Sequence, residues 1–251
     1  MCTLALLLRP GELLAVSGNR NELLARPASG PRVHSELEPR VLMPRDEVGG
    51  GSWLGLNARG LFVAVTNRRG GGVDAERKSR GLLVVEALAQ SSARDLHAQL
   101  AALPGERHNG FHLVYADLRE AFVTVGDGAR IEQHALAAGQ LHLITERSFG
   151  AGERGRKGEG LRERTVAAEL GPLGPNLPSL AAWREPMTHH AAEPLEGACV
   201  HADSFGYGTR SSFQLLLRPS GAQALWTQGH PCVNAPRDLA PELAELGRAG
   251  A

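Results

Sequence analysis

The sequence predicts an α+β protein in which antiparallel sheets carry helices on their outer sides. Two observations lead there. Short apolar runs recur along the chain, separated by glycine, proline and other turn residues, the pattern of strands joined by hairpins. Their order is strands, a helix pair, strands, helices and strands again, which suits sheets covered by helices. With 251 residues the chain is long enough for a large core, and one domain spanning 1–251 is the preferred organisation.

Taken in order, Thr3 to Leu8 and Leu13 to Ser17 are two apolar runs around a Pro10-Gly11 turn, hence a hairpin. The polar cluster Asn19-Arg20-Asn21-Glu22 follows the second strand directly, and residues 26–48, rich in Pro, Arg and Glu, read as an excursion over the surface. Gly49-Gly50-Gly51-Ser52-Trp53-Leu54-Gly55-Leu56 opens a further strand, Ala58-Arg59-Gly60 turns, and Leu61 to Val65 pairs back, ending at Thr66-Asn67. The spacing then predicts helices over Arg80–Ala89 and Ala93–Leu103, stopped by Pro104-Gly105. Strands follow at Gly110–Ala116, Ala121–Val125, Ile131–Leu136 and Leu141–Thr145. Short helices are expected at Leu161–Leu170 and Ser179–Trp183, on either side of a Pro-rich run from Gly171 to Pro178. Ala198–His201, Ser211–Leu217 and Ala222–Gln228 complete the strands, the last two joined at Pro219-Ser220-Gly221.

Composition removes several function classes. Lys+Arg and Asp+Glu are 27 each, so no net charge draws the chain to nucleic acid or an anionic bilayer. Aromatic content of 4% leaves few platforms for stacking bases. Nothing approaches the roughly 20 apolar residues of a membrane span, and the start of the chain lacks a secretory pattern. The three cysteines, Cys2, Cys199 and Cys232, are far apart and odd in number, which fits a reducing cytoplasm.

The chemistry-bearing residues begin with Cys2. Once Met1 is removed, this residue carries a thiol and a free α-amine, a nucleophile and its base on one side chain and one terminus; its plain alternative is a small apolar residue opening a core strand. Arg20 can hold a thiolate or a substrate carboxylate by charge-assisted hydrogen bonds, or simply pair with Glu22. Asn67, at a strand end, can offer its amide to an oxyanion or cap a turn. Tyr207-Gly208-Thr209-Arg210-Ser211-Ser212 opens a strand with an arginine and several donors, suited to an anionic group or to a satisfied strand-entry network. Gly150 to Gly155 matches GxGxxG, but further glycines follow where a helix should open, so the segment reads as a solvated loop. The histidines show neither HExxH nor paired Cys/His spacing, so no zinc site is predicted. Axial haem ligation needs only one His or Cys. His230-Pro231-Cys232 reads as a soft ligand pair or, more simply, as a turn with a buried thiol.

Met1-Cys2, Asn19 to Glu22, Arg26-Pro27, Gly50 to Gly55, Thr66-Asn67 and Tyr207 to Ser212 together resemble the NRDE family, also called the transport and Golgi organisation 2 family. The resemblance covers nearly the whole chain. It implies an N-terminal-nucleophile-hydrolase-like fold, a four-layer αββα sandwich of two mainly antiparallel sheets, distantly similar to the choloylglycine hydrolase and penicillin acylase group. It also implies haem trafficking or lipid and acyl-CoA homeostasis. The chain departs from that pattern at Asn21, where the namesake Asp belongs. It departs from the hydrolase pattern at Leu23, where an acid is expected, and at Glu146, where an Asn is expected.

Two functions follow. In the first, the protein is a cytoplasmic carrier of haem or an acyl/lipid ligand, exchanging it with a haem-receiving or haem-donating protein. Cys2 or a histidine is the axial ligand there, and Arg20 or Arg210 pairs with a propionate. In the second, Cys2 is the nucleophile of an amidohydrolase on non-peptide C–N bonds, Asn67 stabilises the oxyanion, and Arg20 and Arg210 orient a carboxylate. Asn19, Trp53, Tyr207 and Ser211 are the expected ligand-binding residues in either case. No resident cofactor or metal is assigned. A scaffold with neither activity is the third reading.

Overall fold

The computed structural model describes residues 2–68, 73–147, 149, 161–170 and 179–247. The chain opens with β1 (Cys2–Arg9) and β2 (Leu13–Leu23), followed by β3 (Ala28–His34), β4 (Val41–Asp46), β5 (Leu54–Asn57) and β6 (Phe62–Asn67). Helices α1 (Arg80–Ala87) and α2 (Ala93–Leu100) precede β7 (Phe111–Ala116), β8 (Ala121–Gly126), β9 (Ile131–Ala135) and β10 (Leu141–Thr145). After α3 (Leu161–Leu170) and α4 (Leu180–Arg184) come β11 (His201–Ala202), β12 (Tyr207–Arg218), β13 (Gly221–Gln228), β14 (Arg237–Asp238) and α5 (Ala240–Gly247).

Two seven-stranded antiparallel sheets result. The first has the order β10-β1-β2-β12-β13-β14, with β11 on β12, and the second is a meander from β3 to β9. Strict alternation explains how one sheet serves two layers. In β1, Leu4, Leu6 and Leu8 face the other sheet, where they meet Phe62, Val114 and Val123. Ala5 and Leu7 face outward to Val166, Leu170 and Trp183 of α3 and α4. The second sheet's outer face packs Val63, Val65 and Leu113 against Leu83, Val84, Leu96 and Leu100 of α1 and α2. The protein is therefore an α+β sandwich of four layers, αββα.

Register carries polar side chains into this frame. Cys2 stands opposite Arg20, Arg20 opposite Ser211, and Ser211 opposite Gln228. A β-bulge at Arg210, between Thr209 and Ser211, resets the pairing of β12 on β2.

Three expectations change. The Asn19 to Glu22 cluster does not follow β2 but lies inside it, whereas Tyr207 to Ser212 does open β12, which begins at Tyr207. Residues 26–48 include two strands, β3 and β4, instead of a surface excursion. The strand expected at Ala198–His201 is only the two-residue β11. The helix at the end of the chain, α5, was not anticipated; with Leu239 and Leu246 it completes the inter-sheet core. The GxGxxG segment and the Gly171–Pro178 run lie outside the described residues.

Candidate functional site

At the open end of the sandwich, where β1 begins and β6 ends, the two sheets enclose a cleft of about 560 Å³. Cys2, Arg20, Trp53 and Asn67 line it together, with Asp46, Arg80 and Lys78. A narrow apolar extension runs inward from Cys2 past Leu4, Leu54, Ala64 and Phe213, with Ser211 at its side.

Arg20 is 5% exposed, so its charge needs a partner close by. That partner is Asp46: Arg20 Nη2 donates to Asp46 Oδ2 at 2.9 Å, and Arg26 Nε donates to the same oxygen at 2.7 Å. Glu22, the partner the sequence offered, is 3.9 Å away. The other oxygen, Asp46 Oδ1, accepts from the backbone of Gly49 and Val48 at 2.9 and 3.1 Å. Burial alone would raise the Asp46 pKa, but the Arg26 hydrogen bond, the Gly49 amide and the charges of Arg26 and Arg20 hold it below the usual carboxylate range. Arg20 also lies over the Trp53 ring, 4.1 Å from its centroid, and Trp53 packs on Trp226 at 6.1 Å.

The Gly-Gly-Ser-Trp-Leu-Gly run explains how Trp53 and α1 reach this point. A Cβ on Gly51 would lie 2.2 Å from the Gly81 carbonyl carbon, so only glycine lets the loop touch the first turn of α1. Ser52 N donates to Gly81 O there at 3.1 Å. Ser79 caps the helix by accepting from Gly81 N, and Arg80, the first helical residue, points into the cleft.

Arg80 is the cleft cation with no carboxylate within ion-pair distance among the described residues. Its Nη1 donates to Gly110 O at 2.9 Å. Its neighbours are all paired: Arg20 and Arg26 with Asp46, Arg77 with Asp74, and Lys78 with Glu86. Burial lowers the Arg80 pKa, opposed by the charges of Cys2 and Glu22.

The remaining predicted residues sit around this cleft rather than in it. Asn19 faces the outer layer and donates from Nδ2 to Met187 O and Ala198 O, both at 2.8 Å. Tyr207 donates its hydroxyl to Asn21 O at 2.7 Å, and Thr209 donates to Asn21 Oδ1 at 2.6 Å. Arg210 donates to Arg26 O at 3.1 Å, behind Arg20 and Trp53, where it positions the Arg26 backbone. Glu146 is tied up in a buried ion cluster, 3.2 Å from Arg162 Nη1 and 3.4 Å from Arg147 Nε. Sequence reasoning missed Asp46 and Arg80: the first was hidden in the supposed surface excursion, and the second carried only the Ser79 capping signal.

No histidine lines the cleft among the described residues. His112 is buried near its floor, where its Nδ1 and the Thr66 hydroxyl both donate to Thr145 O, at 3.0 and 3.1 Å, tying the two sheets together. Desolvation drives its pKa down to about 4, against the Thr145 hydrogen bond. His190, Cys199, His201 and Cys232 gather elsewhere, with ligand atoms within 4.8 Å of one another.

The sequence profile of the family described as Transport and Golgi organisation 2 matches residues 1–229. The chain belongs to that family. It is 28% identical over 234 residues to the Transport and Golgi organization protein 2 homolog of Bos taurus, covering 83% of each chain. The Homo sapiens homolog is 32% identical over 113 residues, 45% of this chain and 36% of the human one. Solved structures that share the fold include two hydrolases. The conjugated bile acid hydrolase of Clostridium perfringens, in a mutant form, superposes with a TM-score of 0.58 at 14% identity, over 100% of this chain and 95% of that one. An N-acylethanolamine-hydrolyzing acid amidase ortholog from Caenorhabditis elegans gives 0.61 at 12% identity, over 86% and 92%. This member of the Transport and Golgi organisation 2 family accordingly has the N-terminal-nucleophile-hydrolase-like sandwich.

Proposed function

We propose that this protein binds haem or an acyl/lipid ligand in the cleft at Cys2 and exchanges it with a haem-receiving or haem-donating protein. The observation that carries this reading is Arg80, a half-buried guanidinium facing the cleft whose hydrogen-bond partner among the described residues is the Gly110 carbonyl. Such a group is poised for an anion, a carboxylate or a haem propionate. Beside it, Trp53 and the apolar extension at Leu4, Leu54 and Phe213 suit a hydrocarbon or porphyrin face. The cleft falls within the about 300–1,000 Å³ of ordinary small-molecule sites. Among the described residues no histidine lines the cleft, so Cys2 would be the residue to hold haem iron there. The three free thiols support a reducing cytoplasm as its place of work.

Titration with haemin and with a long-chain fatty acid tests this. Saturable binding is expected, weakened about tenfold or more in Arg80→Gln, which is ~1.4 kcal/mol. Absence of a Soret shift would remove haem and leave the acyl ligand. Absence of saturable binding to both would overturn the reading.

A second reading is favoured by the placement of Cys2, at the first position of a central strand, opposite Arg20 and on the cleft. There it is the nucleophile of an amide hydrolase, with its own α-amine as base and Asn67 supplying an amide N–H to the oxyanion. Both structural neighbours are named as hydrolases, one of conjugated bile acids and one of N-acylethanolamines. Intact mass showing loss of Met1, followed by an acyl-enzyme at Cys2 with an N-acyl substrate, is the outcome this reading requires. Retention of Met1 would remove the base and end it.

A further inference from the structure

At the corner where β11 meets the turn after β13, two thiols and two imidazoles converge without an acid between them. Cys199 Sγ lies 3.6 Å from Cys232 Sγ and 3.5 Å from His201 Nε2, and His201 Nε2 lies 3.0 Å from Cys232 Sγ. A nitrogen of His190 completes the group, all four donor atoms falling within 4.8 Å of one another. Tetrahedral zinc, with Zn–S near 2.3 Å and Zn–N near 2.0–2.1 Å, requires edges of about 3.8 Å between sulfurs and about 3.5 Å between sulfur and nitrogen. The 3.6 Å between the sulfurs and the 3.5 Å from Cys199 to His201 lie close to these edges, and the 3.0 Å from His201 to Cys232 needs only a small outward shift.

We propose that His190, Cys199, His201 and Cys232 bind one Zn²⁺ ion in a tetrahedral two-sulfur, two-nitrogen site. Binding releases the two thiol protons and places two thiolates and two neutral imidazoles around the dication, so the site is neutral overall. This soft and borderline donor set selects zinc over magnesium or calcium, which prefer oxygen.

The backbone holds the donors in place. Cys199 N donates to His189 O at 2.9 Å, which keeps His190 beside Cys199. Gly197 makes that approach feasible, since a Cβ there would lie 2.8 Å from the His190 Cα. The turn bearing Cys232 is fixed by Arg184 of α4, whose Nη2 donates to Pro231 O and Asn234 O. His201 is sandwiched on one face by His230, 3.9 Å away and nearly parallel, and His230 in turn reaches Asp203 at 3.7 Å. Gly208 leaves room for this stack, because a Cβ there would meet His230 Cε1 at 2.8 Å. The stretch from His190 to His201 thus presents three donors and the turn at Cys232 the fourth.

A disulfide between Cys199 and Cys232 is the competing account. It needs the sulfurs at about 2.05 Å, against 3.6 Å here, and leaves the two imidazoles without a reason to be there. The ion would brace the Met187 to Ala198 segment, whose carbonyls anchor Asn19, against the C-terminal turn.

The test is metal analysis and Co²⁺ substitution of the full-length, fully reduced protein after desalting. One zinc per chain is expected, and Co²⁺ should give the visible bands of a tetrahedral ion together with thiolate-to-cobalt charge transfer. Cys2→Ser should retain the metal and the double variant Cys199→Ser/Cys232→Ser should lose it. Because the double variant risks misfolding, the exposed His190→Ala is the second test. Partners outside the ligand set are themselves worth about 10–100-fold in affinity, so loss of a ligand should weaken Zn²⁺ at least tenfold. A reduced protein that takes up no Zn²⁺ or Co²⁺, or a stoichiometry and affinity unchanged in both Cys199→Ser/Cys232→Ser and His190→Ala, would overturn the proposal.

Discussion

Asp46 is where single-residue energetics at the cleft concentrate. One carboxylate oxygen serves Arg20 and Arg26, and the other serves two backbone amides. Asp46→Asn leaves a nearly buried guanidinium without its counter-charge, a change that costs about 3 kcal/mol in such settings. Denaturant unfolding of the variant should show that loss, and an unchanged midpoint would mean that Arg20 finds charge elsewhere. His112 gives a pH prediction. Its folded pKa, about 4, lies below the unfolded 6.5, so the unfolded chain binds more protons between those values. The stabilisation from keeping it neutral is complete above pH 6.5 and is lost as pH falls toward 4, about 3 kcal/mol in all. His112→Asn retains a donor for Thr145 O but not the titration. Wild-type stability should therefore fall between pH 7 and pH 4 by about 3 kcal/mol more than the variant's, and parallel profiles would contradict this account.

Among elements, the contact of the Gly51 loop with α1 decides how the cleft is shaped. Gly51→Ala drives a Cβ into the Gly81 backbone, which must give way at a cost of about 1–3 kcal/mol. Because Arg80 is the next residue, the same substitution should weaken ligand binding; a lowered melting temperature with unaltered affinity would separate the two. The elements also show what could be read in advance. Helices α1 and α2 and strands β6 to β8 announce themselves by apolar periodicity, and their positions match expectation. Strand β2 did not, because its end faces a carbonyl-lined outer layer at Asn19 and an acid from another strand at Arg20, so buried polar residues looked like the end of a strand. Strand β3 contains Pro31 and Arg32 and lies at a sheet edge, where proline is tolerated. In β4, Val41, Leu42 and Met43 are buried on both faces, giving a continuous run instead of alternation.

For the whole molecule, a formal charge of zero conceals an uneven distribution. The cleft carries Arg20, Arg26, Arg77, Lys78 and Arg80, and with the first four paired to Asp46, Asp74 and Glu86 it is Arg80 that favours an anion there although the protein as a whole does not. The N-terminal strand lies within the sheet rather than at its edge, between β10 and β2, which gives Cys2 a fixed place on that cleft. The family resemblance and the fold were legible from dispersed motifs because those motifs mark this one end of the sandwich. The cluster of His190, Cys199, His201 and Cys232 was not, since the Cys199-Val200-His201 pair matches no paired Cys/His motif and the fold alone brings Cys232 to it. A ligand confined to the cleft should also stabilise the folded chain, by about 2.7 kcal/mol at a hundred times its Kd. The most direct measurement is the rate of Cys2 alkylation by a small electrophile, read by peptide mass, with and without saturating haemin or fatty acid. Occupancy of the cleft predicts protection of Cys2 by at least tenfold; bound ligand with an unchanged rate at Cys2 would place the binding site elsewhere and contradict the account.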